Sequence, residues 1–189
     1  MKRFISAIAL SAALAAPALA AADTYAIDSK HTFPTFEVNH LGYSIQRGRF
    51  DKTSGTITLD MKAKSGSADI TIETGSLNMG FDEWNQHMLD EKFFNAAKFP
   101  TMTFKSSKFK FKKEQLVEVD GDLTLLGVTK PVKLKVDLFK CAIHPMMKKD
   151  ACGANATTTI KRSDFGMAAY VPMVGDEIKI AFGIEALKN

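Results

Sequence analysis

Polar and apolar residues alternate along most of this chain with a period of two. Thr56-Ile57-Thr58-Leu59-Asp60-Met61 and Ser67-Ala68-Asp69-Ile70-Thr71-Ile72-Glu73 set the pattern. Val117-Glu118-Val119-Asp120 and Asp122-Leu123-Thr124-Leu125 continue it, and Lys133-Leu134-Lys135-Val136-Asp137-Leu138 is the cleanest run. Glu177-Ile178-Lys179-Ile180-Ala181-Phe182-Gly183-Ile184 repeats it near the end. Successive side chains of a strand point to opposite faces, so each run predicts a strand with one apolar face and one face rich in Lys, Thr and Asp. Gly42, Gly55, Gly66, Gly75-Ser76, Gly127 and Gly175-Asp176 fall between or at the ends of runs and predict turns. One short helix stands out. Asp82 is placed to cap it, Glu83 sits in its first turn, and Phe81, Trp84 and Met88 share a face.

About eight or more antiparallel strands in one domain must hide their edges. Closure into a barrel does so, and a sandwich is the alternative that the pattern leaves open. The fold expected is all-β. An eight-stranded barrel has an interior that side chains fill or that holds one small or elongated ligand.

The N-terminus changes the setting. Met1-Lys2-Arg3 is basic, Phe4 to about Ala16 is apolar, Pro17 breaks the run, and Ala18-Leu19-Ala20 has the small-x-small pattern of a cleavage site. Residues 1–20 therefore read as an export signal, with Ala22 as the second cleavage point, and residues 23–189 as one domain. Export implies an oxidising periplasmic or secreted location without ATP or NADH, which disfavours kinases, dehydrogenases and nucleic-acid enzymes. Removing Lys2 and Arg3 lowers the formal net charge from +4 to +2. With only four Arg in the chain there is no basic stripe for nucleic acid. Fourteen Phe and nine Met supply a large soft apolar surface, fit for a core or for the lining of an oily ligand. Cys141 and Cys152 read as a disulfide in an exported protein. Cys141 and His144 also have Cys-x-x-His spacing, which leaves a three-ligand metal site with Cys152 as the rival, incomplete for structural zinc.

Catalytic signatures are thin. The four His (His31, His40, His87, His144) lie outside any HExxH pattern, and no GxSxG, phosphate loop or dinucleotide fingerprint occurs. Asn155-Ala156-Thr157 matches a glycosylation sequon but falls within a predicted strand. A set of longer strings is more informative. His31-Thr32-Phe33 leads to Phe36-Glu37-Val38-Asn39-His40-Leu41-Gly42 and Gly48-Arg49-Phe50. His87-Met88-Leu89, Phe93-Phe94-Asn95 and Phe99-Pro100-Thr101-Met102-Thr103-Phe104 follow. Gly121-Asp122-Leu123-Thr124-Leu125-Leu126-Gly127-Val128-Thr129-Lys130-Pro131-Val132 and Thr159-Ile160-Lys161-Arg162-Ser163-Asp164-Phe165-Gly166-Met167 complete it. In this order they resemble the YceI-like family of polyisoprenoid-binding, lipocalin-like periplasmic proteins, over essentially all of the mature chain. The resemblance implies an extended antiparallel barrel of about eight strands with a small helix near its mouth. It also implies non-covalent binding of a long isoprenoid or similar lipid, an isoprenoid quinone among the candidates, with no cofactor, no metal and no shared catalytic activity.

Two features depart from the family pattern. Trp84-Asn85 stand where many members carry Arg-Asp, and the Cys141…Cys152 loop is absent from many members. For the ligand's tail the inward apolar positions are the candidates: Phe36, Val38 and Phe50 early in the chain, then Ile57, Leu59, Ile70 and Ile72. Phe104, Leu123, Leu125 and Val136 follow, with Ile160, Phe182 and Ile184 last. For its polar end the candidates are His40, Asn85 and His87, while His31 reads as a turn or cap residue. Transient contact with a membrane surface and a monomer or homodimer are both compatible with an apolar mouth. The rival functions are an enzyme acting on an isoprenoid lipid, a metal-binding protein using Cys141, His144 and Cys152, and a structural module with a filled interior.

Overall fold

The computed structural model describes residues 22–189, so the export signal expected over residues 1–20 lies outside the described residues. In chain order the strands are β1 (Asp23–Ile27), β2 (Thr35–His40), β3 (Ser44–Phe50), β4 (Thr53–Asp60), β5 (Ser65–Glu73) and β6 (Leu77–Asn78). Helix α1 (Asp82–Leu89) follows, then β7 (Thr101–Lys112), β8 (Gln115–Leu125), β9 (Val128–Ile143), β10 (Asp150–Lys161) and β11 (Val174–Lys188). The alternating runs are strands, and most of their apolar members turn inward. Leu138, expected inward from the run Lys133–Leu138, is instead exposed, because a bulge of β9 against β10 after Val136 turns Phe139 inward in its place. Leu59, Ile70, Ile72, Leu123, Leu125, Leu134 and Phe182 are all buried. Their polar neighbours face water and pair across strands, as Lys105 does with Asp69 and Lys133 with Glu118.

Eight strands form a closed antiparallel ring in the order β1-β4-β5-β7-β8-β9-β10-β11, with β11 returning to β1. Closure, rather than a sandwich, removes the exposed edges. The ring is not uniform. Strand β1 is short and covers only part of its neighbours, pairing Thr56 to Leu59 of β4 and Ala186 to Lys188 of β11. Further along the same edge of β11, β2 takes over, from Ala181 opposite Thr35 to Val174 opposite His40. Strands β3 and β6 extend this flap.

The changeover is pinned by Thr32, which is fully buried. Its hydroxyl donates to the Glu185 carbonyl (3.3 Å) and accepts from the Glu185 N–H (3.1 Å). His31 serves the same turn, with Nδ1 2.8 Å from the Asp28 carboxylate. The register also needs small residues. Gly48 lies opposite Phe36 on β3, and a Cβ there would collide with the Phe36 ring and the Met79 sulfur.

Helix α1 differs from expectation at its start. Phe81, in extended conformation, is the residue that precedes the first turn, and Asp82 is already helical and makes no side-chain cap. Asp82 and Glu83 act through their charge at the positive end of the helix dipole. The Phe81 and Trp84 rings pack at 5.5 Å between centroids, so the apolar face predicted for the helix is present.

Candidate functional site

The half of the barrel carrying the flap encloses a chamber of about 350 Å³. Its floor is aromatic: Phe36, Phe50 and Phe94 pack in a triangle with ring centroids 5.3–6.0 Å apart. Ile72 and Met102 line it from the adjacent strands β5 and β7, and Leu123 and Leu125 from β8. Ile160 of β10 and Ile178, Ile180 and Phe182 of β11 complete the apolar wall. Flexible thioethers fill the remaining angles, Met79 and Met88 from the helix side and Met167 and Met173 from the β10–β11 connection. Polar side chains reach this surface at few points, among them His40, Gln46, His87, Arg162 and Tyr170.

The candidates inferred from sequence divide into two sets. Phe36, Val38, His40, Phe50, Ile72, His87, Leu123, Leu125, Ile160 and Phe182 surround the chamber. Leu59, Ile70, Phe104 and Val136 are buried in the packed remainder of the barrel, with Ile57 and Ile184 half-buried against them. Strand phase is right in both sets, but only the first reaches the cavity. Of the polar candidates, His87 is exposed at the rim and packs edge-on to Phe93, centroids 4.9 Å apart. Asn85 does not border the chamber. Its side-chain oxygen accepts the Met79 N–H at 2.7 Å and holds the segment leading into α1.

Arg162 is the site residue that sequence reasoning missed. Its side chain is 3% exposed, yet it contacts no carboxylate at hydrogen-bonding distance. Nε donates to the Gly175 carbonyl (2.8 Å), Nη1 to Met167 (2.9 Å), and Nη2 to both Ala169 (2.8 Å) and Val174 (2.9 Å). One guanidinium thus folds the whole β10–β11 connection around itself. Burial lowers its pKa, and the nearby charge of Asp176 opposes that shift. Asp176 in turn accepts the Ser163 N–H (2.9 Å) and hydroxyl (2.8 Å), which lowers its own pKa. The available signal was an Arg three residues ahead of an uncharged stretch, Phe165 to Gly175.

At the far end of the barrel Cys141 and Cys152, opposite each other on β9 and β10, form a disulfide. This overturns the metal reading of Cys141, His144 and Cys152. Both sulfurs are bonded to each other, and His144 Nδ1 accepts the N–H groups of Met146 (3.3 Å) and Met147 (3.1 Å) to shape the hairpin turn.

A closed antiparallel barrel built around an oily chamber, with a helix and two loops at its mouth, is the architecture of the lipocalin-like barrels. The YceI-like domain matches residues 25–186, and the chain belongs to that family. A UPF0312 protein of Pseudomonas aeruginosa is 34% identical over 192 residues, with 100% of each chain covered. The YCEI protein of Campylobacter jejuni superposes with a TM-score of 0.68 at 28% identity, covering 80% of this chain and 90% of that one. A polyisoprenoid binding domain from Saccharophagus degradans, implicated in plant cell wall breakdown, shares the fold. Its TM-score is 0.66 at 20% identity, over 87% of this chain and 98% of that one.

Proposed function

We propose that this protein binds a polyisoprenoid, or a similarly long lipid such as an isoprenoid quinone, non-covalently in its chamber. In this reading it is exported and serves in the periplasm as a carrier, store or sequestering protein rather than as an enzyme. The observation that carries the proposal is the chamber itself, about 350 Å³ of space walled by Phe, Ile, Leu and Met. Space left in a close-packed interior and lined by apolar side chains is destabilising when empty and favours an apolar guest. Each CH₂ withdrawn from water contributes roughly 0.8 kcal/mol, so a tail of about ten carbons supports tight binding even after the costs of association. The polyisoprenoid binding domain with the same fold supports this choice of ligand class.

The tail would lie against Phe36, Val38, Phe50, Ile72, Leu123, Leu125, Ile160 and Phe182, with a polar head near His40 and His87 at the rim. Native mass spectrometry of protein purified from its own periplasm, followed by organic extraction, tests the reading. A stoichiometric prenyl lipid in the extract is the expected result. A bare protein whose extract is empty, and which takes up no prenyl lipid in vitro, would overturn it.

A further inference from the structure

The mouth of the chamber is ringed by large apolar side chains that face solvent. Tyr43, at the tip of the β2–β3 hairpin, is 90% exposed. Phe81 at the start of α1 is 54% exposed, and Met173 in the β10–β11 connection 62%. Leu41 and Tyr170 are also exposed and belong to the chamber wall as well, so the oily interior continues onto this surface. The hairpin tip and the connection are one structure, joined by the Leu41 N–H donating to the Met173 carbonyl at 3.0 Å.

Charge is absent from both. Residues 38–46 and 165–175 contain no Asp, Glu, Lys or Arg, in a chain where 24% of residues are charged. Apolar exposure of this size on a monomer marks an interaction surface. Its shape points to the partner. A protruding hairpin tip with a nearly bare tyrosine fits a deformable medium better than a flat protein face, and amphipathic aromatic rings favour the membrane–water boundary.

We propose that this rim docks the barrel, mouth down, on the surface of a lipid bilayer. The chamber then opens directly onto the phase in which an apolar ligand dissolves. The inference rests on the lipid-binding reading for its purpose but not for its test. The opposite end also exposes Ile143 and Met146, but among Lys140, Lys148 and Lys149, so attachment there would be driven by anionic lipid and weakened by salt.

The test is flotation of the purified protein with vesicles of pure phosphatidylcholine, free of prenyl lipid, in low and in 1 M salt. Wild type should partition onto them, with salt having little effect. Tyr43→Ser with Phe81→Ser should lower partitioning at least tenfold with only a small fall in melting temperature. Tyr43 is nearly bare, and the loss of the Phe81–Trp84 contact is offset by Ser, which suits the position before a helix. Ile143→Ser with Met146→Ser should change it less than twofold. The inference is overturned if the two pairs have equal effects, or if wild type does not float. It is also overturned if sedimentation instead shows a dimer that the rim pair dissociates. Lipid extraction of the same samples separates the two ideas. Docking by a protein that retains no prenyl lipid and takes none up in vitro sinks the ligand reading alone, and retained prenyl lipid without docking sinks this one alone.

Discussion

The two halves of the barrel are built from the same alternating strands and end differently. In the half away from the mouth, inward side chains meet one another. Leu59, Leu116, Val119, Leu134 and Phe139 are all buried, and a disulfide clamps β9 to β10. In the mouth half, the same alternation places Phe36, Ile72, Leu125 and Ile160 around open space. The difference lies in what closes the wall. Short β1 holds β4 and β11 together at the packed end, whereas the β2–β3–β6 flap takes its place beside β11 at the mouth. The open chamber is therefore a consequence of strand length and connection, with the hydrophobic pattern nearly constant throughout.

The largest expected effect falls on the mouth. Arg162→Ala removes the donors for four main-chain carbonyls, those of Gly175, Met167, Ala169 and Val174. An unsatisfied buried acceptor costs roughly 1–3 kcal/mol, and water entering from the mouth will relieve some of the four. A loss of about 3–5 kcal/mol in urea unfolding is expected. Arg162→Lys should recover little, because an ammonium cannot span the same fork. A loss below about 1 kcal/mol would mean that the connection is held by something else.

Matched truncations test the contrast more directly. Leu59→Ala, in the packed half, should cost about 2–5 kcal/mol and leave lipid retention unchanged. Ile160 is only half-buried and borders space that already exists, so Ile160→Ala should cost no more than the low end of that range, about 2 kcal/mol. Ile160→Trp should fill the chamber and lower retained lipid at least tenfold while destabilising by no more than about 1–3 kcal/mol. Equal costs for the two alanine variants, read from denaturant midpoints, would erase the distinction between packed and open halves.

How far the sequence anticipates this division depends on which contacts are local. Alternation predicts β4, β5 and β11 with the correct inward face, and β8 and β9 only between their bulges, because a strand's phase is a property of its own residues until the pairing slips. Leu138 faces out and Phe139 in because β9 bulges against β10. It does not say which inward residues meet a neighbour and which meet a void. Ile57, Leu59, Ile70, Phe104, Val136 and Ile184 look like Ile72, Leu123 and Phe182 until the strand order is known. The β1-to-β2 changeover is hidden for the same reason, since it rests on Thr32 finding Glu185 across 153 residues of chain. Asp82 misleads as a cap because any acidic residue near a helix start satisfies the pattern, whereas the backbone turns helical one residue early. The connection holding Tyr170 and Met173 has no periodicity at all; its order comes from Arg162.

Reduction of the disulfide, or paired Cys141→Ser and Cys152→Ser, should affect only the packed half. The cysteines are 11 residues apart, and closing a loop of that size restricts the unfolded chain by roughly 2.5–3 kcal/mol. Stability should fall by up to that amount with the chamber's lipid retained. Loss of lipid at unchanged stability would show that the far hairpin communicates with the mouth.

The smallest effects expected are on pH dependence, and they have opposite signs at two places. Hydrogen bonds from the Ser163 N–H and hydroxyl lower the pKa of Asp176 at the mouth. Its contribution is present above the unfolded carboxyl value of about 3.9 and is lost as pH falls through the lower folded value. Asp176 is partly exposed, so screening limits the effect to less than about 1 kcal/mol. His31, at the changeover between β1 and β2, has its pKa raised by the hydrogen bond to Asp28. Its contribution is full below the unfolded imidazole value of about 6.5 and is lost as pH rises through the higher folded value. Unfolding curves taken across pH should therefore have a shallower acid limb in Asp176→Asn, the remainder coming from Asp28, Glu118 and Asp137, and a shallower near-neutral limb in His31→Asn. If Asp176→Asn keeps the wild-type acid limb, the Ser163 bonds do not distinguish the ionised carboxylate, and the mouth connection depends on Arg162 alone.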